Sequence, residues 1–327
     1  MIIQSLKLKN FRNYELLNLT FHPVTNIFHG DNAQGKTNIL EAVYLAGTTK
    51  SHRGTKDRDM ISFGEEESHI EVKVLKNGVP FRIDIHLKKN SPKGAAINRM
   101  PVKRASELFG IINLVFFSPE DLNIIKNGPA QRRRFMDLEL SQLDKIYLNN
   151  LADYNRVVNQ RNRLLKEMAF QEKLKDTLEI WDMQLVRYGE RVMEGRKKFL
   201  REINEIVGDI HGKLTGGRER LVMEYEPSTG ELSLEEAVRR NRERDIRMKS
   251  TSAGPHRDDI CFKIKDMDIR KFGSQGQQRT AALSLKLAEI EIVKRVIHDT
   301  PVLLLDDVLS ELDKHRQNYL LDSIHDI

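Results

Sequence analysis

Gly30-Asp31-Asn32-Ala33-Gln34-Gly35-Lys36-Thr37 is a complete phosphate-binding loop of the pattern G-x-x-x-x-G-K-T. Glycines let the backbone N–H groups of such a loop curl around phosphate oxygens, and the start of the following helix adds unpaired N–H donors. The run Asn26-Ile27-Phe28-His29 predicts a strand before the loop, and apolar residues at helical spacing predict a helix after it. The stretch therefore predicts a nucleoside triphosphate site in an α/β fold. An ordinary glycine turn before a helix is the alternative.

Pro301-Val302-Leu303-Leu304-Leu305-Asp306-Asp307 is an apolar strand that ends in two acids. Parallel strands are buried on both faces, so they have continuous apolar sequences, and ligands bind at their carboxyl ends. Beside a phosphate-binding loop, Asp306 is placed to hold Mg²⁺, and Asp307 to orient or deprotonate the attacking water. The alternative is a core strand that happens to end in acids.

Composition narrows the class of protein. The 327 residues suffice for two domains, and the net charge of +6 favours acidic partners such as nucleic acid or an anionic membrane surface. The lone cysteine, Cys261, excludes an internal disulfide and fits a reducing compartment. No apolar run approaches the about 20 residues of a membrane helix, and the N-terminus has no signal-peptide core. The sequence therefore predicts a soluble cytoplasmic protein.

Periodicity divides the chain into strand-rich ends and a helical middle. Residues 1–90 predict strands around the loop, including a hairpin that turns at Asn77-Gly78. Residues 111–117 predict a buried strand, and helical spacing dominates residues 129–210. Residues 221–225, 260–264 and 302–305 predict further strands, and residues 233–249 a charged helix.

Ser274-Gln275-Gly276-Gln277 precedes a predicted helix. Small and amide residues at a helix N-terminus can form a second anion site, although Ser274 could simply cap the helix. The order of the loop, a long insertion, this segment, the acid pair and Ser310-Glu311-Leu312-Asp313 resembles that of ABC-type ATPases. In that class the serine-containing segments are the signature motif and the D-loop.

Four segments narrow this resemblance to the RecF family of bacterial recombination mediators, which are SMC-like ABC ATPases. They are residues 6–14, residues 117–122, Gly254-Pro255-His256-Arg257-Asp258-Asp259, and residues 274–277. The resemblance covers essentially the whole chain. It implies an ABC-type, SMC-like P-loop ATPase head of residues 1–117 and 250–327. It also implies a second, mostly helical lobe of residues 118–249, with no long coiled coil.

The function that this resemblance implies is ATP-dependent DNA binding in recombinational repair. ATP and Mg²⁺ are the implied ligands, and an ATP-induced homodimer clamps duplex DNA at gaps and single-strand/duplex junctions. With RecR and RecO it promotes RecA loading in DNA replication, DNA damage repair and the SOS response, and weak, DNA-stimulated ATP hydrolysis releases it. The alternatives are a non-hydrolysing ATP-binding scaffold that recruits RecR and an ABC transporter motor subunit.

The resemblance also implies roles for individual residues. The triphosphate is held by Gly30, Asp31, Asn32, Ala33, Gln34, Gly35, Lys36, Thr37 and Asn38. Catalysis involves Lys36, Asp306 and Asp307, with Thr37 and Asp306 on Mg²⁺. General ABC ATPases usually carry Glu at the position of Asp307. We hypothesise that the shorter side chain holds water less closely and slows hydrolysis, and unchanged turnover in Asp307→Ala would contradict its role as the base.

A second chain is implied to complete the site. Ser274, Gly276 and Gln277 would reach the γ-phosphate bound to the opposite protomer. Arg12 either contacts the nucleotide, as the matching arginine does in SMC-type heads, or is a surface arginine beside a strand.

Two features depart from the family's pattern. The chain stops at His325-Asp326-Ile327, before the strand that normally follows with a switch residue near the γ-phosphate, and this predicts a missing tail. Ser118-Pro119-Glu120 stands where a Q-loop is expected and offers Glu120 rather than Gln.

Four basic clusters are candidates for DNA contact, although any one of them can be a solvated helix face. They are Lys50, Arg53, Lys56 and Arg58; Arg132-Arg133-Arg134; Arg156, Arg161, Arg163 and Lys166; and Arg196-Lys197-Lys198. Aromatic residues are not interleaved with them, which favours salt-dependent contact with duplex phosphates over base stacking. His256 lacks a partner at metal-ligand spacing, so we expect a structural or nucleotide-adjacent role for it.

Overall fold

A computed structural model describes residues 1–168 and 175–325. The strands are β1 (Ile2–Phe11), β2 (Tyr14–Thr20), β3 (Glu67–Lys76), β4 (Val79–Lys88), β5 (Ser91–Ile97), β6 (Met100–Pro101), β7 (Leu114–Phe117), β8 (Leu221–Glu226), β9 (Asp259–Ile264), β10 (Met267–Asp268) and β11 (Val302–Leu305). The helices are α1 (Lys36–Thr48), α2 (Leu122–Lys126), α3 (Pro129–Leu143), α4 (Lys145–Glu167), α5 (Lys175–Leu214), α6 (Leu234–Met248), α7 (Ile269–Phe272), α8 (Gln275–Ile297) and α9 (Lys314–His325).

The first compact unit comprises Met1–Pro119 and the residues from Val293 onward. Its antiparallel sheet has the strand order β2-β1-β3-β4-β5-β6. Leu6 and Leu8 of β1 lie opposite Val72 and Ile70 of β3, and all four side chains are buried. The predicted hairpin is confirmed, because β3 and β4 pair on either side of Asn77-Gly78, whose φ angles are +49° and +76°. An Asn-Gly pair tolerates two consecutive positive φ angles at little cost.

A parallel pair of strands presents the two acids. β11 pairs with β7 from Val302 opposite Leu114 to Leu305 opposite Phe117. The ladder continues past the strand end, where the Asp306 N–H donates to the Phe117 carbonyl at 2.9 Å. Every side chain of β7 is buried, as its continuous apolar sequence predicts. Asp306 and Asp307 therefore follow directly from the carboxyl end of β11, a parallel strand in which Leu304 is buried and the other three residues are partly buried.

The strand predicted just before the loop is wrong. Residues 26–29 are irregular, and Ile27 is 80% exposed. Phe28 meets the edge of the Phe21 ring, with 6.2 Å between centroids, but no strand within the described residues pairs with this segment. A strand needs a hydrogen-bonded neighbour, which apolar character alone does not supply.

The second compact unit, Glu120–Ile292, is mostly helical. The long helices α4 and α5 pack together, and a small antiparallel sheet has the order β10-β9-β8. Asp144 caps α4 by accepting from two backbone N–H groups, and Ser233 caps α6 through a reciprocal capping box with Glu236. These caps satisfy N–H groups that the first turn of a helix leaves unpaired.

The compact units differ from the predicted lobes at both boundaries. The first boundary lies after Pro119, against a prediction after residue 117. Residues 250–292 pack with the helical unit, because β9 pairs with β8 along its length. The boundary on this side falls inside α8. The assignment of residues 250–327 to an ATPase head lobe stays a prediction.

Three arginines of the predicted DNA clusters are buried instead. The Arg132 guanidinium donates to both Asp259 oxygens, at 2.6 and 2.9 Å. Arg196 donates to Asp137 at 2.8 Å and to the Pro255 carbonyl at 2.7 Å. A charge can be buried only when it is paired, so these side chains stabilise the interior of the unit.

Arg161 belongs to the same unit and is fully buried. It donates to Asp182 and Asp245, each at 2.7 Å, and to the Thr251 hydroxyl at 2.9 Å. Together the three arginines fasten the segment from Thr251 to Asp259 to the helices. The prediction that Arg132, Arg161 and Arg196 contact DNA is therefore wrong, because their guanidinium groups are buried and already bonded within the protein.

His256 is also a structural residue. Its Nε2–H donates to the Thr251 carbonyl at 3.1 Å, which leaves Nδ1 to accept from the Tyr154 hydroxyl at 2.6 Å. Both ring nitrogens are thus occupied, as expected for a structural role. Burial first, and then the charge of Arg257, lowers the pKa of His256 from its ordinary value to about 4.

This depressed pKa predicts a component of acid lability. As pH falls, the unfolded chain binds the histidine proton before the folded chain does. The stabilising contribution is therefore complete above about pH 6.5 and lost between there and about pH 4, a change of about 3 kcal/mol. We expect His256→Gln to be destabilised at pH 7.5 yet to lose less stability than wild type between pH 7.5 and 4.5. Urea unfolding followed by the fluorescence of the single tryptophan, Trp181, would measure this, and parallel pH profiles would contradict it.

Candidate nucleotide-binding site

The phosphate-binding loop has the backbone that an anion needs. Gly30, Ala33 and Gly35 have φ angles of +139°, +63° and +96°. Such conformations turn successive N–H groups to one side of the chain. Helix α1 starts directly after Gly35 with no side-chain cap and no acid in its first turn. No side-chain cap therefore covers the N–H groups of its first turn, and these groups and the helix dipole suit phosphate.

The turn between β1 and β2 braces this loop. Asn13 Nδ2 and the Tyr14 hydroxyl each donate to the Gln34 carbonyl at 3.3 Å, and Asn38 Nδ2 donates to Asn13 Oδ1 at 2.8 Å. A Cβ atom on Gly35 would lie 2.6–2.8 Å from the Asn13 amide and the Tyr14 hydroxyl. Gly35 is therefore required both for its positive φ and for this close approach. The support of the loop by Asn13 and Tyr14 was not predicted from the sequence.

Lys36 and the two predicted Mg²⁺ ligands, Thr37 and Asp306, lie together at the start of α1. Lys36 Nζ donates to the Gly30 and Asp31 carbonyls, at 2.6 Å each. The Thr37 hydroxyl donates to Asp306 Oδ1 at 3.0 Å, across 269 positions of sequence. Hydroxyl and carboxylate oxygens are the hard ligands that Mg²⁺ prefers, with water and phosphate completing its octahedron. Thr37 and Asp306 thus fit the expected ion, while their role in binding it stays a prediction.

Asp307 differs from Asp306 in backbone and environment. Its φ is +50°, and its side chain is exposed. The Asp307 carbonyl accepts from the Ser310 hydroxyl at 2.8 Å, which ties the acid to the predicted D-loop. Aspartate tolerates a left-handed conformation better than most residues, and such conformations concentrate at functional sites. Its role as a base stays a prediction.

Arg12 is engaged by a buried acid that the sequence analysis missed. Its Nε and Nη2 donate to the two oxygens of Glu41, at 2.8 and 2.7 Å, and its Nη1 donates to the Asp59 carbonyl at 2.8 Å. The Ser51 hydroxyl also donates to Glu41, at 2.5 Å. Neither predicted role of Arg12 describes this arrangement, and contact with nucleotide stays a prediction that would require these bonds to rearrange.

Glu41 is fully buried on α1. Burial by itself raises its pKa, but the hydrogen bonds from Arg12 and Ser51 and the charges of Arg12 and Arg53 outweigh burial and hold that pKa below its ordinary value. Arg53 also donates to Asn38 Oδ1 at 3.2 Å. An acid within the otherwise apolar helical stretch from Ile39 to Leu45 was the sequence signal for this network.

In the second compact unit, the signature segment caps a helix. Ser274 Oγ accepts from the Gln277 N–H at 3.2 Å, and Gln277 Oε1 accepts from the Ser274 N–H at 2.9 Å. This is a reciprocal capping box, so Ser274 does cap α8. Gly276 accepts from Thr280 Oγ1 through its carbonyl, at 2.8 Å. Contact of Ser274, Gly276 and Gln277 with a γ-phosphate stays a prediction.

Comparison with known proteins identifies the family. The model of the RecF/RecN/SMC N-terminal domain matches residues 2–326. The DNA replication and repair protein RecF of Lachnospira eligens is 64% identical over 329 residues, which cover 100% of this chain and 91% of that protein. The chain belongs to the RecF family. A more distant RecF, from Clostridium perfringens, is 43% identical and is covered to the same 91%.

Solved structures agree with this membership. A structure described as the recombination mediator protein RecF-ATP in the RecFOR pathway aligns with the RecF-family chain at a TM-score of 0.94 and 36% identity, covering 99% of this chain and 89% of that one. An Smc head from Pyrococcus furiosus, bound to the C-terminal domain of ScpA, aligns at a TM-score of 0.56 and 17% identity, covering 99% and 86%. The predicted α/β, ABC-type and SMC-like ATPase fold is confirmed. Across residues 1–168 and 175–325, no helix is both long and apolar enough to cross a bilayer.

Proposed function

We propose that this RecF-family chain is an ATP-gated DNA-binding protein of recombinational repair. ATP closes a homodimer on DNA, and slow hydrolysis opens it. The observation that carries the proposal is the 3.0 Å contact between Thr37 and Asp306, at the start of a helix that has no side-chain cap and so suits phosphate. The RecF-ATP structure at a TM-score of 0.94 supports ATP as the triphosphate.

Each residue of the loop has a distinct task in this scheme. When ATP binds, Lys36 Nζ leaves the Gly30 and Asp31 carbonyls and donates instead to the β- and γ-phosphates. The two carbonyls can then accept hydrogen bonds from water. Thr37 and Asp306 would hold Mg²⁺, which neutralises charge that develops on the phosphates. The exposed Asp307 carboxylate orients the attacking water or accepts its proton.

The second half of the site comes from another copy of the chain. In its capping box the Ser274 hydroxyl acts as an acceptor, so its proton can be donated to the γ-phosphate on the partner. ATP then bridges two chains, whereas ADP lacks the group that Ser274 contacts. This difference makes the dimer sensitive to hydrolysis.

The basic residues that are exposed to solvent contact DNA in this proposal. Lys50, Lys56, Arg58, Lys197 and Lys198 are exposed, unlike the three buried arginines. Contact with duplex phosphates gives steep salt dependence and little sequence preference. RecR, RecO and the RecA pathway are the partners proposed from family membership, and the cytoplasm is the proposed location.

Dimerisation tests this function most directly. We expect wild type with Mg²⁺ to dimerise in ATP but not in ADP, more tightly with duplex DNA at low salt than at physiological salt. Ser274→Arg introduces a bulky cation at the interface and should weaken the ATP dimer by about tenfold or more, because a hydrogen bond to a charged phosphate is lost. Sedimentation measures the association. Ser91→Arg, the same change at an exposed strand end, is the matched control.

An ATP dimer of undiminished affinity in Ser274→Arg would refute the proposal. Turnover separates the remaining alternative, a scaffold that binds ATP without hydrolysing it. Phosphate release from wild type that falls in Asp307→Ala supports the switch, whereas an ATP dimer with no phosphate release supports the scaffold.

A further inference from the structure

The turn after helix α5 holds the signature segment through one carboxylate. Gln277 Nε2 donates to Glu219 Oε1 at 2.8 Å, while Gln277 Oε1 accepts from the Ser274 N–H. The oxygen and the nitrogen of the Gln277 amide therefore each make a hydrogen bond. One end fixes the backbone of Ser274, and the other is anchored outside the signature segment. The described contacts of Gln277 leave its side chain little freedom to move independently of Glu219.

Glu219 stands on a fixed turn. The Glu219 N–H donates to Thr215 Oγ1 at 3.3 Å, and that hydroxyl donates to the His211 carbonyl at 2.8 Å. Gly216 and Gly217 adopt positive φ angles of +62° and +77°, and the Gly217 N–H closes the turn on the Gly212 carbonyl at 2.7 Å. The backbone of Glu219 is thus tied to the last turn of α5.

A buried histidine connects the same two helices a second time. His211 is fully buried, and its Nε2 lies 3.6 Å from Glu219 Oε2. Its Nδ1 lies 3.0 Å from Ser284 Oγ, which donates to the Thr280 carbonyl of α8 at 2.7 Å. The C-terminal end of α5 and the turn after it therefore contact α8 at two places, Gln277 and Ser284.

We infer that Glu219 is a positioning residue for the signature motif. By holding Gln277, it keeps Ser274 in the orientation that meets the partner's γ-phosphate. It also makes this orientation depend on the end of α5, a helix of 40 residues that belongs to the helical unit. A displacement of that turn displaces Ser274 with it. This inference rests on the proposed ATP-closed dimer, and it concerns only the affinity of that dimer, since the phosphate-binding loop is a separate element.

Three substitutions test the contact. Glu219→Ala removes the anchor and should weaken the ATP dimer by about tenfold, the loss expected when a hydrogen bond to a charged acceptor is removed. Glu219→Gln keeps an acceptor oxygen and should stay within about threefold of wild type. Gln277→Glu preserves the capping box but places a carboxylate against Glu219, so it should weaken the dimer as Glu219→Ala does.

The double variant Glu219→Gln/Gln277→Glu should restore dimer affinity, because an amide again faces a carboxylate with the roles exchanged. ATP affinity of the monomer should change in none of these variants, because the phosphate-binding loop is a separate element, and restored dimer affinity in the double variant is a result that a merely structural role would not predict. Glu224→Ala is the matched control, since Glu224 pairs only with Lys263 among its described contacts.

The outcomes separate the inference from the proposed function. If Ser274→Arg loses the ATP dimer while Glu219→Ala and Gln277→Glu keep wild-type affinity, the positioning role is refuted and the dimer stands. If the Glu219→Gln/Gln277→Glu double variant is no tighter than Gln277→Glu alone, the direct contact is refuted. An undiminished ATP dimer in Ser274→Arg removes both the proposed function and the inference.

Discussion

Replacing Arg161 with alanine is expected to lower the free energy of unfolding of the helical unit by about 3–5 kcal/mol. Arg161 is fully buried and donates to Asp182 and Asp245, each at 2.7 Å. Alanine leaves two carboxylates without their main cation in a site that little water reaches. Removing one member of a buried ion pair costs more than the pair itself contributes, because the remaining charge stays desolvated.

The loss should be larger at pH 8 than at pH 5. Burial raises the pKa of Asp182 even though Arg161 opposes that shift, so removal of Arg161 raises the pKa further. A raised folded-state pKa favours folding where the carboxyl is protonated and disfavours it as pH rises. Protonation at pH 5 therefore removes part of the charge that alanine leaves unpaired.

Trp181 offers a direct probe of this unit. It packs against the cluster of Leu164, Leu165, Met168 and Leu178. Denaturant unfolding followed by its fluorescence should show the change. The matched control is Arg163→Ala on the same helix, because Arg163 is 74% exposed and pairs only with Glu167 among its described contacts. That variant should change stability by less than about 0.5 kcal/mol. Equal stabilities for the Arg161 and Arg163 variants would contradict the buried network.

Lys36→Ala should weaken ATP binding by about 100-fold without unfolding the protein. Lys36 is the only cationic side chain of the loop from Gly30 to Thr37, and it faces the carbonyls of Gly30 and Asp31 rather than a buried acid. These carbonyls lie at the surface and can bond to water when the amine is removed. The substitution should therefore weaken phosphate binding and leave the stability of the fold unchanged.

Stabilisation by ligand gives a clear measurement. At an ATP concentration of about 100 times the wild-type Kd, binding stabilises wild type by about 2.7 kcal/mol and the variant by about 0.4 kcal/mol. The melting temperature without nucleotide should be unchanged. Lys9→Ala, which removes an exposed lysine of β1 in the same compact unit, should keep the full ATP response. An equal ATP-induced shift in Lys36→Ala would contradict the site.

Local chemistry explains what could be predicted from the sequence. The phosphate-binding loop, the Asn77-Gly78 hairpin and the capped helix α6 depend on residues within a few positions of one another. The strand β11 was recognisable from its continuous apolar sequence, which is typical of a parallel strand. The exposed segment at residues 26–29 was mistaken for a strand because nothing in its own sequence reveals whether a neighbouring strand is present.

The arginines show why other features could not be predicted. Arg132, Arg161 and Arg196 lie beside exposed basic residues in sequence, and their acids are 127, 84 and 59 positions away for Asp259, Asp245 and Asp137. Whether a cation is buried or solvated depends on a partner that only the folded chain supplies. The same holds for Glu41, which pairs with Arg12 across 29 positions.

The chemical groups of the candidate site could be found from the sequence: a loop for phosphate, an acid pair at a strand end and a serine-glutamine segment at a helix start. Each depends on consecutive residues whose backbone groups act together. Which groups come into contact depends on how the folded chain packs. This packing brought Thr37 to Asp306, seated Asn13 against the loop and placed Glu219 against Gln277. Contacts across tens to hundreds of positions form only when packing has brought the chain together, so local patterns cannot specify them.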